Sequence, residues 1–226
     1  MFDFDYFLAS AERIYPGIYY TILIAALSFV MGLFFGLILA LIRLYKVRFF
    51  NEIAIVYISF FRGTPLLVQL FVFYFGLPAS FGSDFFGQID AIYYALVVFS
   101  LYASAYLAEI MRSAILSVDK GQLEAAYSLG MSAFASFKRI VLPQAFMITL
   151  PNLCNFFIIQ LKNTALAFTI TVHDLMGLAE IEAGRSSKFL EAYLMAAIMY
   201  WGVCVLFEFL FSLLEKKMKV FRKAYA

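Results

Sequence analysis

Few side chains in these 226 residues are equipped for chemistry, and those that are stand far apart. The single histidine, His173, precedes Asp174, a pairing that would suit general-base work. Ser100 and Ser104 offer hydroxyls for nucleophilic attack, yet nothing in the sequence joins either to His173. Cys154 and Cys204 both fall inside apolar runs and read as buried thiols, not as a disulfide framework. No cluster of His, Cys or carboxylate has metal-ligand spacing, and no Gly-rich loop ends in Gly-Lys-Ser/Thr. The chain is therefore not expected to be an enzyme, to bind ATP in the P-loop manner, or to hold a cofactor or metal of its own. What stands out is a set of amides in an apolar background: Asn152, Asn155, Gln160, Asn163 and Thr164, with Phe156 and Lys162 among them. Polar groups are expensive in hydrocarbon, so such side chains face protein or a wet path. Asn152, Asn155 and Asn163 fall near one helical face. Lining a path for a polar solute is one use of them; hydrogen-bonding helices together is the other.

The elements that must position these residues are dictated by composition. Hydrophobic residues make up 65% of the chain and charged ones 14%, with a mean hydropathy of +0.90. Soluble domains run near 45–50% apolar and about 25% charged, so a water-soluble globular enzyme is excluded. Disorder is excluded too, since it needs low hydrophobicity and high charge. Uncharged stretches over 14–42, 63–83, 91–108, 140–161 and 192–207 give five candidate membrane helices in an all-α integral membrane protein. No basic residue precedes Arg13, so the first apolar run lacks the flank of a cleaved signal and is expected to stay as a span. Arg43, Lys46 and Arg48 follow the first run; Arg112, Lys120, Lys138 and Arg139 lie between the third and fourth. Lys216, Lys217, Lys219, Arg222 and Lys223 end the chain, while the opposite side holds Arg13, Arg185 and Lys188. The positive-inside rule then puts the N-terminus outside, and the 113–142 loop and C-terminus in the cytoplasm, in a multi-pass protein of the cell membrane.

Two regions depart from simple spans. Arg62 sits ten residues after Glu52, about 15 Å into a helix begun there, and Gly63, Thr64 and Pro65 follow it. Thr then Pro is a helix-start pair, so an interruption near Gly63 is expected, tolerated where it is buried or lines a cavity. Arg62 either snorkels to the interface or pins a gate. Gln69 would share its face only if the helix were continuous. Residues 163–189 are moderately polar and are expected to form re-entrant or outer-leaflet helical structure.

In the longest cytoplasmic loop, Asp119 followed by Gln122 reads as a capping box that opens a helix through Leu129. Gly130 then stops it, Ser132 starts a second short helix, and Pro143 opens the next span. Such an element either projects as a rigid knob or lies flat on the bilayer.

Glu124-Ala125-Ala126, then Gly130, Ile140 and Leu142-Pro143 at their fixed separations, resemble the "EAA" loop of ATP-binding-cassette importer permeases. Arg62-Gly63-Thr64-Pro65-Leu66-Leu67-Val68-Gln69-Leu70 is similar to the signature of the polar amino acid uptake branch, as are Tyr106-Leu107-Ala108-Glu109-Ile110 and Leu161-Lys162-Asn163-Thr164. The resemblance covers essentially the whole chain. It implies a type I importer fold with five helices per subunit and a second permease subunit, a homodimer being favoured. It also implies two ATP-binding subunits that hold ATP and Mg, an extracytoplasmic solute-binding protein, and docking of the EAA helix on the ATPase. No carboxylate lies between Glu124 and Asp174. That favours a neutral polar amino acid such as glutamine or cystine, or an acidic one using Lys162. The segment from Gly184 to Glu191 resembles cystine-type members. Readings from other classes are an ion-coupled secondary transporter, which would want paired intramembrane acids, and a membrane assembly subunit that transports nothing.

Overall fold

A computed structural model describes residues 2–82 and 86–222, so Lys223 and the last residue of the second apolar run lie outside the described part. Every regular element in it is helical. In chain order these are α1 (Phe4–Ile14), α2 (Gly17–Leu44), α3 (Phe50–Gly63), α4 (Leu66–Phe81) and α5 (Ala91–Leu116). They are followed by α6 (Lys120–Ser128), α7 (Ala133–Ser136), α8 (Leu142–Asn163), α9 (Leu175–Ser186) and α10 (Phe189–Arg222). A π-helical turn, Phe137–Val141, joins α7 to α8, and a 3-10 turn, Thr164–Ile170, extends α8. Four stretches are long and apolar enough to cross a bilayer, and the bent pair α3–α4 makes a fifth. These are Gly17–Leu44, Ala91–Leu116, Ala133–Ile170 and Phe189–Met218.

The molecule is organised around α2 against α5. Ser28, Gly32, Gly36 and Ala40 recur every fourth residue of α2 and are all buried. Close approach is what the glycines permit. A Cβ at Gly32 would stand 2.6 Å from the Ala103 Cβ, and one at Gly36 2.9 Å from the Ser104 carbonyl oxygen. In lipid, apolar burial gives helices no drive to associate, and small faces let dispersion do so instead. The opposite face of α2 presents Tyr19, Val30 and Phe34 outward, as a lipid-solvated surface requires.

The interruption near Gly63 is a break, with α3 and α4 meeting at 106°. Neither half, of 14 and 16 residues, reaches the ~30 Å of a hydrocarbon core alone. Thr64 does not cap α4 as a helix-start pair would. It ends α3, donates to the Phe60 carbonyl at 2.8 Å, and accepts from Gln69 Nε2 at 2.9 Å. Because the helix is discontinuous, Arg62 and Gln69 do not share one helical face.

Residues 163–189 fold as the 3-10 turn and α9, whose N-terminus is capped by Asp174 accepting from the Gly177 N–H at 2.9 Å. Helix α1 packs on α9 and α10 and is pinned there by polar contacts. Lys188 pairs with Asp3, Arg13 with Glu182, and the Ser186 hydroxyl donates to Tyr6 at 2.7 Å. Lys188 and the Tyr6 backbone N–H hold the Asp3 carboxyl below its usual range.

Candidate functional site

Helix α8 divides the expected pathway residues into two faces. Asn152, Asn155, Ile159 and Lys162 follow three- and four-residue steps and are exposed. Phe156, Gln160 and Thr164 point into the bundle. Gln160 is fully buried and donates to Ser28 Oγ at 3.0 Å and the Phe99 carbonyl at 3.2 Å, while its Oε1 has no partner. Thr164 donates back to the Leu161 carbonyl at 2.8 Å. Asn163 is half-buried and lies beside the Tyr102 hydroxyl. Gln69 sits in the α3–α4 break, where its Nε2 reaches the carbonyls of Phe61 (3.0 Å) and Thr64 (3.1 Å). Its Oε1 is likewise unmatched.

Between α8 and the break stands an aromatic wall. Phe156 stacks on Tyr106 (centroids 5.7 Å apart, planes 25°) and on Tyr102 (6.4 Å, 24°). The guanidinium of Arg62 lies over the Tyr106 ring at 5.3 Å, and the Tyr106 hydroxyl approaches the Arg62 carbonyl at 3.5 Å. Ring quadrupole and cation attract in such an arrangement. Arg62 makes no ion pair among the described residues. One turn along α5, Glu109 is held by Arg112 at 2.7 Å, with Arg43 at 4.0 Å. Tyr102, Tyr106, Glu109 and Arg112 carry much of this geometry; Tyr106 and Glu109 entered the sequence reading only within a stretch similar to the amino acid uptake branch, and Tyr102 and Arg112 were given no site role. The four-residue step between the two tyrosines was the available signal.

The neighbours His173 and Asp174 do not pair. The Asp174 carboxylate is taken by the Gly177 N–H and by the Tyr200 hydroxyl at 2.8 Å, not by His173. Burial pushes its pKa up to about 6 against those two hydrogen bonds, which lower it. Ser100 and Ser104 donate to the Leu96 and Leu101 carbonyls of their own helix. Cys154 and Cys204 are free and buried.

In the 113–142 loop, Asp119 caps α6 by accepting from the Gly121 N–H at 2.6 Å. Gln122 does not return the capping box and pairs instead with Gln144. Gly130 has φ +75°, where the Gly130 N–H reaches the Tyr127 carbonyl (2.9 Å) and the Met131 N–H the Ala126 carbonyl (3.1 Å). These two bonds are the Schellman arrangement that closes a helix. Glu124 and Ala125 are exposed and Ala126 is buried, while Leu129 (83% exposed) and Phe134 (73%) stand clear of the chain. Ile140 is half-buried in the π-helical turn; Leu142 is exposed and Pro143 lies in the first turn of α8.

A sequence profile described as "Binding-protein-dependent transport system inner membrane component" matches residues 32–220. The chain belongs to this family. The permease is 43% identical to a probable amino-acid ABC transporter permease protein, PatM, of Vibrio harveyi, over 91% of each chain. It is 46% identical to the L-cystine transport system permease protein TcyL of Bacillus subtilis (strain 168), covering 88% of this chain and 84% of that one. Among solved structures it superposes on a chain of an amino acid ABC transporter with histidines at a TM-score of 0.88 and 34% identity. That match covers 96% of the permease and 99% of the other chain. The MetNI methionine ABC transporter, at 16% identity and a TM-score of 0.74 over 91% and 96% of the two chains, shares the fold. The expected importer-permease fold and membrane location hold.

Proposed function

We propose that the permease carries an amino acid into the cell along the exposed face of α8, in a pair of like subunits. The observation that carries this reading is the stripe Asn152–Asn155–Lys162, open on a single subunit. Two amides and an ammonium facing lipid would be expensive, so this face belongs to a water-filled path or to a second subunit. Arg62 over Tyr106, beside the Phe156 stack and the α3–α4 break, supplies the gate of that path. Gly63, Thr64 and Pro65 give the break its shape, and Gln69 ties it together. Gln160 and Thr164 support the path from behind, as contacts within the bundle.

No carboxylate lies on the stripe, which favours a neutral polar substrate; the L-cystine relative points the same way. A relative at 36% identity is an arginine transport permease, so charge selection is the discriminating property. ATP and Mg belong to two partner ATPase subunits, and an extracytoplasmic binding protein delivers the solute. The N-terminus lies outside and the 113–142 knob in the cytoplasm. There Glu124 and Ala125 dock on the ATPase, Ala126 packs behind them against the chain, and Gly130, Ile140, Leu142 and Pro143 set the knob's angle to α8.

The test is uptake by proteoliposomes holding the permease with its ATPase and binding protein, challenged with cystine, glutamine, glutamate and arginine. Cystine or glutamine is expected to dominate. Preferred uptake of arginine would overturn the charge argument, and uptake without ATP would overturn the coupling.

A further inference from the structure

Where α2 and α5 end, the knob packs on Val118 through Leu123 and Phe137 but does not close completely. A groove of about 250 Å³ remains between Leu44 and Tyr45, Ile115 and Leu116, and Leu123 and Phe137. Its walls are mostly apolar, with Lys120 the one charged residue among those that line it. The chain entering from α2 brings two more cations. After Leu44 it turns through Lys46 (φ 48°) and Phe49 (φ 70°) before α3 begins. At Phe49 the Phe50 N–H meets the Arg48 carbonyl at 2.9 Å with φ 70° and ψ −51°, a γ-turn of the rare strained kind. The turn leaves Tyr45 (63% exposed) and Phe49 (72%) outward with Lys46 and Arg48 between them. Aromatic rings interleaved with cations are what the polar–apolar boundary of a bilayer selects.

Lys46, Arg48 and Lys120 make no ion pair among the described residues, whose side-chain pairs involve Arg13, Arg43, Arg112 and Lys188. The nearby acids keep their charge, Asp119 as the cap of α6 and Glu52 as acceptor from Asn51. Cations outnumber them all the same, seven Lys and Arg to three Asp and Glu over 43–52 and 112–142, so this end is net positive beside a mostly apolar groove. We infer that this groove holds an acyl chain of an anionic phospholipid, whose headgroup sits among Lys46, Arg48 and Lys120. Apolar burial fixes the chain, and attraction of the basic rim selects the headgroup charge. The bound lipid fills the space beneath the knob and so sets its standoff from the spans. The inference rests on the cytoplasmic placement proposed above for its leaflet alone. Its test reads lipid contact and is independent of transport.

The full permease is placed in nanodiscs containing phosphatidylglycerol or phosphatidylcholine with a photoreactive group midway along one acyl chain, and adducts are mapped by mass spectrometry. Phosphatidylglycerol is expected to label residues 115–127 about fivefold or more over phosphatidylcholine. Leu123→Trp, which fills the groove, removes that adduct while labelling near Trp201 on exposed α10 persists and reports a folded, inserted chain. Lys46→Gln, Arg48→Gln and Lys120→Gln together bring the two lipids level while leaving the apolar residues of the groove unchanged. Equal labelling by both lipids in the natural chain overturns the inference. So does an adduct that survives Leu123→Trp, or labelling near Trp201 with none on 115–127.

Discussion

Gln160 and Asn155 sit five residues apart on α8 and do opposite things, which makes them the sharpest test at the scale of the residue. Gln160 spends its donors on α2 and α5 and leaves an oxygen buried without a partner. Ser28 also donates to the Ile24 carbonyl at 2.6 Å, so loss of the amide does not strand its hydroxyl. A buried unmatched acceptor is itself unfavourable by roughly 1–3 kcal/mol, and removing it offsets the lost bonds. Gln160→Leu is expected to leave thermal unfolding in detergent within about 1 kcal/mol and to keep most uptake. Asn155→Leu, on the exposed face, is expected to leave unfolding unchanged and to cut uptake at least tenfold. Equal loss of uptake in both would return Gln160 to the path. The sequence showed these amides but not their division. In a span flanked by lipid and protein alike, apolar residues occupy every face, and no hydrophilic contrast marks the buried side.

At the scale of the element, glycines do two different jobs, and only one was legible. The stop at Gly130 could be read from its place between two capped helices, and its φ of +75° bears that out. The close approach at Gly32 and Gly36 could not be read, because it depends on which helix lies opposite. Nothing lies within 4 Å of a Cβ built at Gly130, so a substitution there acts through the backbone alone. A non-glycine residue in the left-handed region is disfavoured by about 1–2 kcal/mol. Gly130→Leu should therefore insert and fold while altering the angle at which α6 meets α7. The expected outcome is ATP hydrolysis that persists in the reconstituted transporter while uptake per ATP falls several-fold. Normal stoichiometry would remove Gly130 from the coupling. The break after Gly63 shows the complementary limit. Its position was written in Gly-Thr-Pro, but neither the 106° angle nor the bridge that Gln69 makes between the ends of both halves could be read there.

For the whole molecule, the distribution of charge says more than its sum. On the side carrying α1 and α9, two of the three cations are held by neighbours, Arg13 by Glu182 and Lys188 by Asp3, and Arg185 makes no ion pair among the described residues. At the other end, Lys46, Arg48 and Lys120 are left unpaired among the described residues. The positive-inside rule counts Lys and Arg, and the end richer in them is the one proposed above to face the cytoplasm. That proposed topology can be tested without any transport assay. With Cys154 and Cys204 replaced by alanine, Ser128→Cys on α6 and Glu12→Cys on α1 each present one exposed thiol. In intact cells a membrane-impermeant maleimide is expected to label Glu12→Cys and to spare Ser128→Cys until the membrane is opened. The reverse pattern would invert the molecule, and with it the side from which an ATPase could reach Glu124. It would also move the proposed lipid into the outer leaflet without disturbing the groove that holds it. Labelling of both thiols in intact cells would break the five-span arrangement itself, because an odd number of crossings requires the two to lie on opposite faces.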